Sequence, residues 1–112
     1  MSEYVIGIDT GATKSHLALF DTAGAFVDFG HWGPLNHELF PGSFAQFEDE
    51  LSQFIARHLS KNEIPVKQVK YGVFGIAGVD TKNQHGIISK IMSRLGFERF
   101  TLVNDAFLGV PA

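Results

Sequence analysis

The chain has 112 residues, 45% hydrophobic and 19% charged, with a formal net charge of −3 and no cysteine. That length holds one modest domain around one core. The acidic balance lacks the clustered basic face that nucleic acid requires, and without cysteine there is no disulfide framework or thiolate-bound metal within these residues.

The N-terminus, Met-Ser-Glu-Tyr-Val, lacks the basic and apolar regions of a signal peptide, and no apolar run approaches the roughly 20 residues that span a bilayer. Eleven phenylalanines read as core filling.

In chain order, YVIGID (4–9) is a mostly apolar run, expected to be a buried strand. Thr10-Gly11-Ala12-Thr13-Lys14 is a turn of small and polar residues. SHLALFD (15–21) alternates, with Leu17 and Leu19 on one face, and turn residues at 21–24 lead to a third strand at 25–32. These three are expected to form an antiparallel meander. A loop bounded by Gly and Pro covers 33–42. Ser43 opens a helix through a capping-box pair with Gln46, and Phe44, Phe47, Leu51, Phe54, Ile55 and Leu59 form its apolar face. KNEIP (61–65) breaks the helix, with Pro65 as the stop. KYGVFGIAG (70–78) has a near-continuous apolar centre, the pattern of a strand covered on both faces. A second helix is expected at 84–95 with Gly96 just past its end, and RFTLVND (99–105) is the last strand.

The order is βββαβαβ, an α/β fold. Helical crossovers join parallel strands, so the first, fourth and fifth strands are expected to run parallel. Ligands of open α/β sheets gather at the carboxyl ends of such strands. Asp9, the 75–80 segment and Asp105 fall there.

A Gly-rich turn after a buried strand invites comparison with phosphate loops. A P-loop requires Gly-x4-Gly-Lys-Ser/Thr before a helix; here Lys14 follows Thr13 and a strand follows the turn. The dinucleotide fingerprint also opens a helix, and Gly7 and Gly11 do not fit its spacing. What remains is a strand–turn–strand loop whose successive amides can form an anion-binding nest. A carboxylate at its entrance, Asp9, calls for a cation between it and a phosphate: Mg²⁺, which usually keeps several waters.

IGIDTGATKSHLALFDTAG resembles the first phosphate motif of the sugar kinase/Hsp70/actin superfamily, and βββαβαβ matches its first domain, a ribonuclease H-like (actin-like ATPase) unit with a mixed sheet. More narrowly, the chain resembles the N-acetylglucosamine kinase and BadF/BcrA-type ATPase group: GPLNHE its sugar-side loop, FGIAGVD its second strand motif, TLVNDAFLG its catalytic-Asp segment. The resemblance covers nearly all of residues 1–112 and implies domain I of a longer protein. It implies an ATP-dependent kinase of a sugar or amino sugar such as N-acetylglucosamine, with ATP and Mg²⁺ as cofactors. In that reading Asp9 holds the metal, Thr10, Gly11, Ala12 and Thr13 form the phosphate loop, and Lys14 reaches a phosphate. Asp105 is the general base, Asn104 shapes its surroundings, and Asn36 meets a sugar hydroxyl. His37 shares the long 33–42 loop, and Gly78 lets substrate approach the backbone, with Asp80 capping the next helix. His16, His31, His58 and His85 have no metal-ligand spacing and are expected in surface or packing roles, as is Trp32 in packing.

Two other functions compete: a BadF-type ATPase activating a dehydratase or reductase, and a non-catalytic sugar sensor. The expected setting is cytoplasmic, with a small sugar as substrate, homodimerisation allowed, and no nucleic acid or membrane partner.

Overall fold

The computed structural model describes residues 3–11, 13–35, 43–76 and 82–104. Strands β1 (Tyr4–Asp9), β2 (Ser15–Asp21) and β3 (Phe26–Trp32) lead into helix α1 (Ser43–Lys61). A 3₁₀ turn (Val66–Gln68) precedes β4 (Val69–Ile76), which is followed by α2 (Lys82–Arg94) and β5 (Phe100–Asn104). The five strands form one sheet in the order β3-β2-β1-β4-β5. β1–β2 and β2–β3 pair antiparallel, whereas β1–β4 and β4–β5 pair parallel. The meander and the two crossovers expected from the sequence are therefore present, with boundaries shifted by one or two residues. Residues 77 and 78 and Asp105, expected to extend β4 and β5, lie outside the described residues.

Both crossovers run in the same direction across the sheet, so a common right-handed turn places both helices on one face. Their contact bears this out: Arg94 of α2 donates from Nη2 and Nε to the two carboxylate oxygens of Glu48 on α1, at 2.5 and 3.1 Å. A single core lies between sheet and helices. Ile6, Ile8, Leu17, Leu19, Phe74 and Ile76 line it from the sheet, Phe47, Leu51 and Phe54 from α1, and Ile88, Ile91 and Met92 from α2.

The phenylalanines divide between the two faces. Phe47, Phe54, Phe74 and Phe97 are buried, but Phe20, Phe26 and Phe29 are exposed. The expectation of a purely Phe-filled core is corrected here: these three occupy the alternate positions of β2 and β3, on the face turned away from α1 and α2.

α1 ends at Lys61, before Pro65 can stop it. Glu63 takes a left-handed φ of 57°, Ile64 N–H donates back to Leu59 C=O at 2.9 Å, and Glu63 N–H to Ser60 C=O. This is the hydrogen-bond pattern of a helix-terminating Schellman turn, made without glycine. α2 ends the same way, with Gly96 at φ 105° and Phe97 N–H on Met92 C=O, as its sequence predicts.

A polar clasp fixes the C-terminal half of α1 to edge strand β3. Asp28 Oδ2 lies 3.0 Å from His58 Nδ1 and accepts from Asn62 Nδ2 at 2.9 Å, and Lys61 Nζ is 3.3 Å from Oδ1. These bonds, His58 first, hold the Asp28 carboxyl well below the usual carboxylate range. His58 is buried and fits because residue 30 is glycine: a Cβ there would stand 2.0 Å from His58 Nε2. Trp32 is packed as expected. Phe54 stacks on it with centroids 5.5 Å apart, the Arg57 guanidinium lies 4.7 Å from its ring centroid, and its indole N–H donates to Glu50.

Candidate phosphate-binding edge

The parallel pairing brings three chain segments to one edge. Asp9 ends β1 and pairs with Gly75; Gly75 pairs with Val103, and Ile76 with Asn104. The carboxyl ends of β1, β4 and β5 therefore stand side by side, the position where open α/β sheets bind ligands.

The turn after β1 is anchored at both ends. Thr10 N–H donates to Gly75 C=O at 2.8 Å, continuing the ladder one residue past the strand, and Leu35 N–H donates to Gly11 C=O at 3.2 Å. Gly11 sits where a Cβ would stand 2.9 Å from the Lys14 carbonyl oxygen, so the turn closes too tightly for a side chain. Thr10 is buried, while Thr13 and Lys14 are exposed. Strand alternation puts Thr10 on the helix-covered face with Ile6 and Ile8. Asp9 falls on the opposite face, with His16 directly across from it in β2. That neighbour of Asp9 was missed in the sequence, because an imidazole seven residues away carries no spacing signal until the hairpin register is known. Ser15, at the start of β2, is buried with no hydrogen-bond partner for its hydroxyl.

Of the sequence-derived site residues, the structure brings together Asp9, Thr10, Gly11, Thr13 and Lys14 on the turn and the backbone of Asn104 beside β4. Ala12, Asn36, His37, Gly78, Asp80 and Asp105 lie outside the described residues. Leu35, fully buried and bonded to Gly11, is the residue immediately before Asn36, and so ties the start of the 33–42 loop to the turn. Among the described residues no cluster of three or more His, Asp or Glu could hold a metal ion. One strand-end carboxylate beside a tight turn of small residues suits a hard cation held largely through water rather than a protein cage. A groove of about 780 Å³ lies at the opposite edge, among Glu3, Lys70 and Arg99 near the amino ends of the parallel strands. Its charges are mixed, and Glu3 and Lys70 pair with each other at 3.5 Å.

A β3-β2-β1-β4-β5 sheet, antiparallel on one side of β1 and parallel on the other, with both helices on one face, is the fold of an actin-like ATPase, ribonuclease H-like domain. Solved structures share it. A Chromobacterium violaceum protein assigned as an N-acetylglucosamine kinase matches 94% of this chain with a TM-score of 0.67 at 17% identity. A reductive activator for a corrinoid, iron–sulfur protein matches 89% at a TM-score of 0.60 and 9% identity, and MamK, solved with AMPPNP, matches 95% at 0.57 and 12%. The chain spans 36%, 22% and 42% of those three proteins, respectively. No protein-family model and no curated protein matches the chain. Among the described residues no helix is long and apolar enough to cross a membrane.

Proposed function

We propose that this chain is the N-terminal, nucleotide-binding domain of an ATP-dependent phosphotransferase that acts on a sugar or amino sugar of the N-acetylglucosamine type. The observation that carries the reading is the convergence at one sheet edge. The Asp9 turn, the end of β4 and the end of β5 stand in register, in a fold shared over nearly the whole chain with a protein assigned as an N-acetylglucosamine kinase.

In this reading the amides of residues 10–14 face the phosphates of ATP, and Lys14 adds a point charge. Asp9 would hold Mg²⁺, which when bound would supply charge neutralisation for the transferring phosphoryl group. Asp105, next after Asn104 at the end of β5, accepts the proton of the attacking sugar hydroxyl. Asn36, His37, Gly78 and Asn104 orient the sugar. Phosphoryl transfer depends on alignment and charge neutralisation more than on the base, so the anchored turn contributes most by holding its amides in place. Turnover requires a second lobe to close over the nucleotide, so residues 1–112 alone are expected to bind without catalysing.

The test is a pair of variants in the intact two-domain protein. Asp105→Asn is expected to lower kcat by roughly 10²–10⁴, the usual worth of a general base, with Mg²⁺–ATP affinity nearly unchanged. Asp9→Asn is expected to weaken Mg²⁺–ATP binding and turnover together. An Asp105→Asn enzyme with near wild-type kcat overturns the assignment. The likeness to a reductive activator supports a second reading, an ATPase acting on a redox partner; ATP hydrolysis indifferent to every sugar offered would favour it.

A further inference from the structure

Beneath the β1–β2 turn lies a hydroxyl with nothing to bond. Ser15 opens β2 and is fully buried, and among the described residues its Oγ is the one buried side-chain polar atom without a hydrogen-bond partner. Buried polar groups are nearly always paired, so a lone one requires a cause. The strand register places it. Asp9 pairs with His16, so the next two positions, Thr10 and Ser15, face each other where the hairpin closes over residues 11–14. Ser15 alternates with Leu17 and Leu19 onto the helix-covered face, as does Thr10. The Ser15 side chain therefore lies on the underside of the turn. Its neighbour in β3 is Trp32, whose indole N–H already donates to Glu50.

An anion-binding turn has a use for a donor in that place. In a trans peptide the N–H and C=O point in opposite directions. When successive N–H groups of a turn aim at an anion, the carbonyls bonded to them point back toward the underside. Water is excluded there, and a carbonyl without a donor is costly. One turn carbonyl already has its donor from below: Gly11 C=O accepts from the N–H of the buried Leu35 at 3.2 Å. We infer that Ser15 is a positioning residue of the phosphate turn, whose hydroxyl donates to a second turn carbonyl when a nucleotide phosphate draws the amides outward. The inference rests on the nucleotide-binding reading above. Serine hydroxyls commonly bond backbone groups a few residues away in the chain, and every carbonyl of residues 11–14 is within four residues of Ser15. Without exposed surface, Ser15 does not touch the anion; it acts through the backbone. The free chain carries the hydroxyl unpaired and the bound chain pairs it, so serine at this position serves binding at the expense of stability.

Calorimetric titration of Mg²⁺–AMPPNP into the intact two-domain protein, beside urea unfolding of the same variants, tests this. Ser15→Ala is expected to bind at least about fivefold more weakly, the equivalent of one buried hydrogen bond, while its urea midpoint stays equal or rises. Ser15→Cys, which keeps the shape but donates weakly, should lose affinity likewise. A serine with a merely structural role would lower midpoint and affinity together on conversion to alanine, and that result overturns the inference. So does wild-type affinity in Ser15→Ala, or wild-type affinity in Ser15→Cys, which would make shape rather than the donor the cause. Asp9→Asn separates the two levels. If it weakens binding and Ser15→Ala does not, the role of Ser15 alone falls; if Asp9→Asn binds as the wild type does, the nucleotide-binding reading falls and the inference with it.

Discussion

Gly30→Ala is a one-carbon change with a large expected effect. The added Cβ would sit 2.0 Å from His58 Nε2 and 2.1 Å from Cε1, well inside any van der Waals contact. Every close atom belongs to the His58 ring, so the imidazole must swing away and its 3.0 Å bond to Asp28 is lost. A hydrogen bond to a charged group contributes about 1.5–3 kcal/mol net, and overpacking a filled site costs a further 1–3 kcal/mol. Asn62 and Lys61 still reach Asp28, which limits the loss. An unfolding free energy lower by roughly 2–4 kcal/mol is expected in urea titration at pH 7. The pH dependence gives a second readout. Asp28 is held below its unfolded value, near 4, so its contribution is full above that value and falls as the pH drops toward the folded one. The wild type should therefore lose stability on acidification below about pH 5, and Gly30→Ala should show a shallower acid limb. A variant within 0.5 kcal/mol of wild type, with an unchanged acid limb, would refute the reasoning: the clasp would then tolerate a displaced His58.

Two further substitutions probe the helix end and the floor of the turn. Gly96→Ala combines a left-handed φ of 105° with a Cβ 2.9 Å from Val66 Cγ1, so a loss of at least about 2 kcal/mol is expected; Glu63→Gly, which relieves a left-handed non-glycine residue, should gain roughly 0.5–1 kcal/mol in the same urea assay. Ser15→Ala removes a buried hydroxyl with no partner and is expected to leave stability unchanged or raise it by about 1 kcal/mol, whereas a fall of more than 1 kcal/mol would show that the hydroxyl is bonded in solution.

Most of the architecture is legible in the residues because two periodicities carry it. Leu17 and Leu19 alternate, and Phe47, Leu51, Phe54 and Ile55 recur at helical spacing, so element type and order follow from local pattern alone. The parallel alignment of β1, β4 and β5 then follows from the crossovers. The clasp is not legible, because Asp28 and His58 are thirty residues apart and only the pairing of sheet with helix brings them together; Gly30 reads as an ordinary small residue until His58 is seen against it. The outward phenylalanines escape for another reason. Alternation says that residues share a face, but not which face the two crossover helices cover. At the candidate site, the turn was legible as a Gly-rich loop behind a strand-end carboxylate. Its anchoring by Thr10 and Leu35 uses backbone groups, which leave no mark on residue choice.

The central place of β1 has a consequence for how the chain reaches this state. It is made before the other four strands, yet it is the seam between the antiparallel and parallel halves. Its partner β2 follows after five residues (10–14), whereas its partner β4 arrives only after fifty-nine (10–68). Closing the longer loop costs more chain entropy by about 0.6 kcal/mol per doubling, or roughly 2 kcal/mol in all. The meander β1–β2–β3 is thus the first unit that can form, with one edge of β1 unpaired until β4 emerges. During synthesis that edge is a bare row of amides and carbonyls beside Ile6 and Ile8, the kind of strand edge that pairs with whatever chain is nearest. The order of strands along the chain thus makes the interval before β4 a period in which the most central strand of the sheet is open to pairing with a foreign strand.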